Sequence, residues 1–158
     1  MRIVTWLLVS VALPAWLTAA ADNPFAGTWR LNVHKSKYAG NACPRSMTIQ
    51  IEARGEGIRY HSETVQADGR KTQANYTADY GGAEGIVRGE AGLLAPVSLQ
   101  RTGDRAVVAS YRRGMQVIAT SRQVVSKNGR VLTIVTVSPD KDGRLVTNVG
   151  VYEKVSQR

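Results

Sequence analysis

From Phe25 to the C-terminus the sequence is a succession of short runs rich in Val, Ile, Thr and Tyr, each ended by Gly, Asn or Asp after about 8 to 12 residues. That spacing leaves little freedom, because runs so short give a helix no room for a buried face, whereas Gly, Asn and Asp accept the positive φ of tight β-turns. The clearest turns are ADGR at 67–70, TGDR at 102–105, RRGM at 112–115, KNGR at 127–130 and DKDG at 140–143. They predict strands over 25–32, 45–54, 57–66, 71–80, 95–102, 105–112, 115–126, 130–138 and 144–154, with a further run at 84–89, roughly nine or ten in all. No extended helix is expected beside them, although HKSKYAG at 34–40 has room for one turn.

Alternation shows which faces turn inward. Met47, Ile49 and Ile51 alternate with Thr48, Gln50 and Glu52, the pattern of a half-buried strand. VLTIVTV at 131–137 is apolar on both faces, as expected where the outer face is covered or the inner face lines a dry cavity. A meander of this kind exposes two edges, and pairing its first strand with its last removes both. The reading is therefore all-β, an antiparallel up-and-down β-barrel of about 8–10 strands, with an open two-sheet sandwich as the alternative.

Ahead of the first strand, Met1 and Arg2 precede the apolar run IVTWLLVSVAL, then Pro14 and the small-residue stretch Thr18–Ala21. A charged start, a short apolar stretch and an A-x-A-like exit make a secretory leader; a membrane span needs about 20 apolar residues. Cleavage is expected after Ala21, giving a signal peptide over 1–21, one domain over 22–158 and an exported, periplasmic or secreted product without a transmembrane segment. Arg2 is the only charge in the leader, so the net charge passes from +9 to +8 on its removal. The basic residues are scattered, with no run longer than Arg112–Arg113, which argues against a nucleic-acid partner and for either plain solubility or contact with an anionic envelope component. Cys43 is the only cysteine, so no internal disulfide forms and apolar packing has to carry the fold.

Chemistry-bearing residues are few. His34 falls in a loop and His61 within a strand, and neither has a histidine or cysteine at metal-ligand spacing. Glu52, Glu63 and Asp79 are single carboxylates among basic neighbours and read as cross-strand ion pairs. Without a nucleophile, base and orienting group, the sequence presents no catalytic residues, no metal site and no cofactor site, and the chain is not expected to be an enzyme.

At the start of the domain, NPFAGTWRLNVHKSKY carries Gly27-Thr28-Trp29, and this opening resembles the GxW strand of calycin-type barrels. VSLQRTGDR, RQVVSKNGRVLTIV and GVYEKV extend the likeness to a family of small exported bacterial lipocalin-like proteins, over most of residues 23–155. The resemblance implies a barrel closed at one end by Trp29, with Gly27 admitting close backbone approach. It is also similar to the fatty-acid-binding branch of calycins, whose last strand holds a carboxylate with an RxY pair. Here Tyr152 matches the tyrosine, but Gly150 stands at the arginine position, so the clamp does not carry over, and the helical lid is missing.

Two functions follow. In the first, the barrel binds or carries a small hydrophobic or amphipathic molecule. The side chains that combine apolar area with a polar or adaptable tip are Tyr60, Tyr76, Tyr111, Met115, Arg122 and Tyr152, and these are the candidate ligand contacts. In the second, an envelope-associated interaction module uses its basic outer surface and takes no small ligand.

Overall fold

In the computed structural model, which describes residues 23–40, 42–89 and 94–156, ten antiparallel strands close into a barrel in which each strand pairs with its neighbours in sequence and the last pairs with the first. The expected leader, 1–21, lies outside the described residues. The strands are β1 (Gly27–Leu31), β2 (Ser46–Arg54), β3 (Gly57–Val65), β4 (Lys71–Asp79), β5 (Gly81–Gly89), β6 (Leu94–Gly103), β7 (Ala106–Arg113), β8 (Gln116–Val125), β9 (Val131–Pro139) and β10 (Leu145–Lys154). A short 3-10 turn, Val33–Lys35, follows β1 in the stretch expected to hold one.

Closure rests on a short seam. Trp29 lies opposite Lys154 and Leu31 opposite Tyr152, and beyond the end of β1 the loop continues beside β10 through a Lys37–Val149 bridge. The sandwich alternative therefore does not occur. On the other side β1 runs against β2, with Trp29 opposite Ile49.

Period-2 alternation places the core inside the barrel. Ile49 and Ile51 of β2, Ile58 and Tyr60 of β3, Val97 and Leu99 of β6 and Val107 and Ala109 of β7 are all buried, while Gln50, Glu52, Arg59 and Gln100 between or beside them are exposed. The two-faced strand β9 buries Leu132 completely, yet its outer residues Thr133, Val135 and Val137 are half-buried. Their register partners explain this: Val135 faces Val149, and Thr133 lies between Val124 and Val151. Neighbouring β-branched side chains shield one another on the outer surface without any covering element.

Most strand ends differ from the sequence reading by a residue or two, and two departures have an identifiable cause or consequence. β5 begins at Gly81 rather than 84, because the β5–β6 register slips between Gly81 and Glu84, and paired glycines carry no alternating signal to reveal such a bulge. Met115 belongs to the β7–β8 turn rather than to a strand. The β4–β5 seam has the fewest register pairs, confined to Ala74–Gly89 and Asn75–Arg88.

Candidate functional site

The barrel interior divides into a plug and a polar zone. At the end where β1 begins, Trp29 is fully buried and its indole N–H donates to the Phe25 carbonyl at 2.8 Å, which satisfies the ring's one polar group. Phe25 is itself buried, and its short lead-in is fixed by Asn23, whose carbonyl accepts from Ala26 N–H at 2.9 Å and whose amide donates to the Tyr80 hydroxyl at 3.0 Å. Gly27 has φ +133°, and a Cβ there would lie 2.6 Å from the Lys154 side chain, whose ammonium sits 5.1 Å from the Trp29 ring centroid. The glycine of the GxW motif is thus required for its backbone angle, whereas the exposed end of Lys154 could swing aside from a Cβ.

Away from this plug the inner face turns to hydroxyls and rings. Tyr60 and Tyr76, register partners on β3 and β4, stack with centroids 4.6 Å apart and planes at 11°. Tyr111 lies close enough to raise the pKa of both. Tyr152 donates from its hydroxyl to the Met47 sulfur at 3.2 Å and lies beside Tyr38, with Cys43 near both. Five of the chain's six tyrosines therefore gather on one interior surface, Tyr80 being the exception. Burial is the first cause that pushes the hydroxyls of Tyr60, Tyr76, Tyr111 and Tyr152 above the ordinary tyrosine range, so all four are neutral donors at physiological pH.

Between the rings lie Ser62, Ser121 and Gln123, each about 3 % exposed and each on the inner face of its strand. Gln123 and Tyr111 are close to the Tyr76 hydroxyl and Tyr111 is close to Ser121, yet neither the Tyr76 hydroxyl nor Ser121 Oγ has a partner in hydrogen-bonding geometry. Both are buried polar atoms aimed into the interior, and a buried hydroxyl left in that state costs about 1–3 kcal/mol.

One groove adjoins this surface. It has a volume of about 470 Å³ and follows the sparsely paired β4–β5 seam, where Arg59, Thr77, Ile86 and Arg88 join Tyr60 and Tyr76. A cleft of about 550 Å³ lies apart from it, between the loop after β1 and the β9–β10 hairpin, lined among others by Ala39, Asp140, Lys141, Arg144 and Asn148 and by none of the tyrosines. Asn148 Oδ1 holds the loop there by accepting from Ala39 N–H at 2.8 Å. A larger cavity, about 1100 Å³, lies against the ends of β1 and β10 and the β8–β9 turn and touches none of the tyrosines. It belongs to the outside of the plug, where Arg130 and Lys154 are exposed, and carries no part of the site.

Of the six candidate contacts read from sequence, the structure brings Tyr60, Tyr76, Tyr111 and Tyr152 together inside. Met115 and Arg122 do not join them. Met115 is 93 % exposed at a turn tip, and Arg122 points outward because its neighbours Ser121 and Gln123 take the inward positions of β8. QVIATSRQVV has apolar residues on both parities, so alternation assigns neither face to the core, and only its chemistry singles out the arginine. Tyr38, Met47, Ser62, Ser121 and Gln123 complete the surface and were not among the candidates. Ser62 was legible, since it shares parity with Ile58 and Tyr60; Tyr38 was not, because its loop has no period.

The histidines and Glu52 stay outside the tyrosine surface. His34 is exposed, Glu52 pairs with its register partner Arg59 at 3.5 Å, and His61 lies 2.6 Å from Asn75 and 3.6 Å from Glu63. Among the described residues no group of three His, Cys, Asp or Glu side chains is placed to hold a metal ion.

No family model matches the chain, and no curated protein does. Among solved structures 34 chains match. One is zebrafish ileal bile acid-binding protein complexed with cholic acid, with a TM-score of 0.57 and 12 % sequence identity, over 84 % of this chain and 99 % of that one. The fold is calycin-like. At that level of identity the likeness speaks for the architecture, which the ten-strand closed barrel shares, and leaves the site to be argued from its own residues.

Proposed function

We propose that the protein is an exported carrier that holds a small hydrophobic or amphipathic molecule against the tyrosine-lined surface of its barrel. One observation carries the reading: the Tyr76 hydroxyl and Ser121 Oγ are buried and unpartnered on the inner face, beside stacked aromatic rings. A molecule with an apolar body and a polar end would cover the rings and supply the missing hydrogen bonds, which is how mostly apolar pockets with a few polar groups fix a ligand. The structural neighbour, a bile acid-binding protein, gives this use of the fold a precedent. Export is supported by the leader pattern of residues 1–21, and a binding role rather than a catalytic one by the neutral hydroxyls, which offer hydrogen bonds without a paired base.

Native mass spectrometry of protein isolated from its own cells, with N-phenyl-1-naphthylamine fluorescence as an independent probe, tests the reading. A noncovalent adduct released by organic solvent, and probe fluorescence lost in Tyr76→Phe and Ser121→Ala, are the expected results. Protein that carries no adduct and leaves the probe dark would overturn it.

A further inference from the structure

We propose, resting on the binding reading above, that the interior selects an uncharged ligand with a hydroxyl, carbonyl or amide end and discriminates against carboxylates and ammonium groups. The chain is strongly basic at +9, yet among the described residues no charged side chain is buried. The buried polar side chains there are Ser62, Ser121 and Gln123, all neutral. Arg59, Arg88 and Arg122, on strands beside the tyrosines, are exposed on the outer surface, and Arg59 is engaged with Glu52 there. Arg112, next to Tyr111, is half-buried, with its Nε withdrawn from solvent and 3.6 Å from the Glu84 carboxylate, so its charge is already paired.

Space decides the rest. At Gly150, on the inner face of β10, a Cβ would lie 2.7 Å from the Tyr152 ring and 3.0 Å from both the Tyr152 and Tyr38 hydroxyls. The tyrosines already fill the volume that a longer side chain would need, so no cation can be housed at this point without displacing them. An ionised carboxylate entering such a surface would lose its water and find only neutral hydroxyls, and an isolated charge without a counter-ion is among the costliest groups to bury. The outer cations do not compensate, because exposed charges are screened by solvent and salt. An ammonium fares no better: among the described residues no carboxylate is buried, and Tyr60 and Tyr76 stack on each other at 4.6 Å instead of opening into a cage. Hydroxyls, which both donate and accept, suit a neutral oxygen or amide.

The test is competition against N-phenyl-1-naphthylamine by a matched set: dodecanol, dodecanoic acid, methyl dodecanoate and dodecyltrimethylammonium. At about pH 7.5, where the acid is ionised, dodecanol should displace the probe at a concentration about tenfold or more below that of the acid or the ammonium. Lowering the pH to about 4, where a carboxyl near its ordinary pKa is largely protonated, should narrow the gap between acid and alcohol while leaving dodecanol unchanged. Acid or ammonium binding as tight as the alcohol at the higher pH would overturn the neutral assignment and leave the carrier reading standing. Failure of the probe to bind protein that also carries no adduct would overturn both.

Discussion

The two regions of the barrel interior obey opposite rules. The Trp29 end is satisfied: its large rings are packed, and its one buried indole N–H has found a carbonyl at 2.8 Å. The tyrosine zone is equally buried but unfinished, with Tyr76 and Ser121 hydroxyls unpartnered and the rings of Tyr60, Tyr76 and Tyr152 held away from water. The difference teaches where stability and function reside in one continuous core. Packing that satisfies every polar group stabilises the fold, whereas polar groups left open are retained at a cost that a bound molecule supplying their hydrogen bonds would offset.

The largest break should come from alkaline pH, which acts most strongly on the tyrosine zone, where four of the tyrosines raised by burial are gathered. Burial raises the folded pKa of Tyr60, Tyr76 and Tyr152 above the ordinary 10.0, so above that pH the unfolded chain releases protons that the folded chain keeps. Stability contributed by these neutral hydroxyls is fully present below pH 10 and is lost as the pH climbs, by about 1.4 kcal/mol per pH unit for each group. Urea unfolding should give a constant midpoint from about pH 7 to 9 and a steep fall above about pH 10, with tyrosinate absorbance appearing together with unfolding.

Next in size is Trp29→Ala at the plug. It removes the ring that closes the barrel and should cost about 3–5 kcal/mol, read as a lower urea midpoint at unchanged slope. Gly150→Ala probes the tyrosine zone by crowding it instead. The added methyl meets the Tyr152 ring at 2.7 Å, so about 1–3 kcal/mol should be lost and ligand affinity should fall with it.

The smallest effect sharpens the contrast most. Tyr76→Phe deletes a hydroxyl that has no partner, so stability should stay level or rise by up to about 1 kcal/mol while ligand binding weakens. A clear loss of stability in that variant would show that the hydroxyl is engaged within the fold and would erase the distinction between the two regions.

Most of the architecture was legible in the sequence, because turn residues and period-2 alternation are local signals. KNGR and DKDG mark the β8–β9 and β9–β10 turns, and Gly129 and Gly143 there have φ of +69° and +79°. The site was legible only in part. Tyr60, Tyr76, Tyr111 and Tyr152 could be picked out for their chemistry, but which strands bring them together depends on stagger around the barrel, a quantity with no local signature. Arg122 and Met115 show the limit: in a strand apolar on both parities and at a turn shifted by one residue from its expected place, inside and outside are set by the neighbours.

The sequence by itself determined the all-β character and the antiparallel succession of short strands, since both follow from turn residues and period-2 alternation, while it left closure open against a sandwich. Only the tertiary structure decided that the described charged side chains all stay unburied and that Tyr38 and Tyr152 occupy the space beside Gly150. Those outcomes arise when ten strands close on themselves, because residues far apart in the chain then compete for the same enclosed volume.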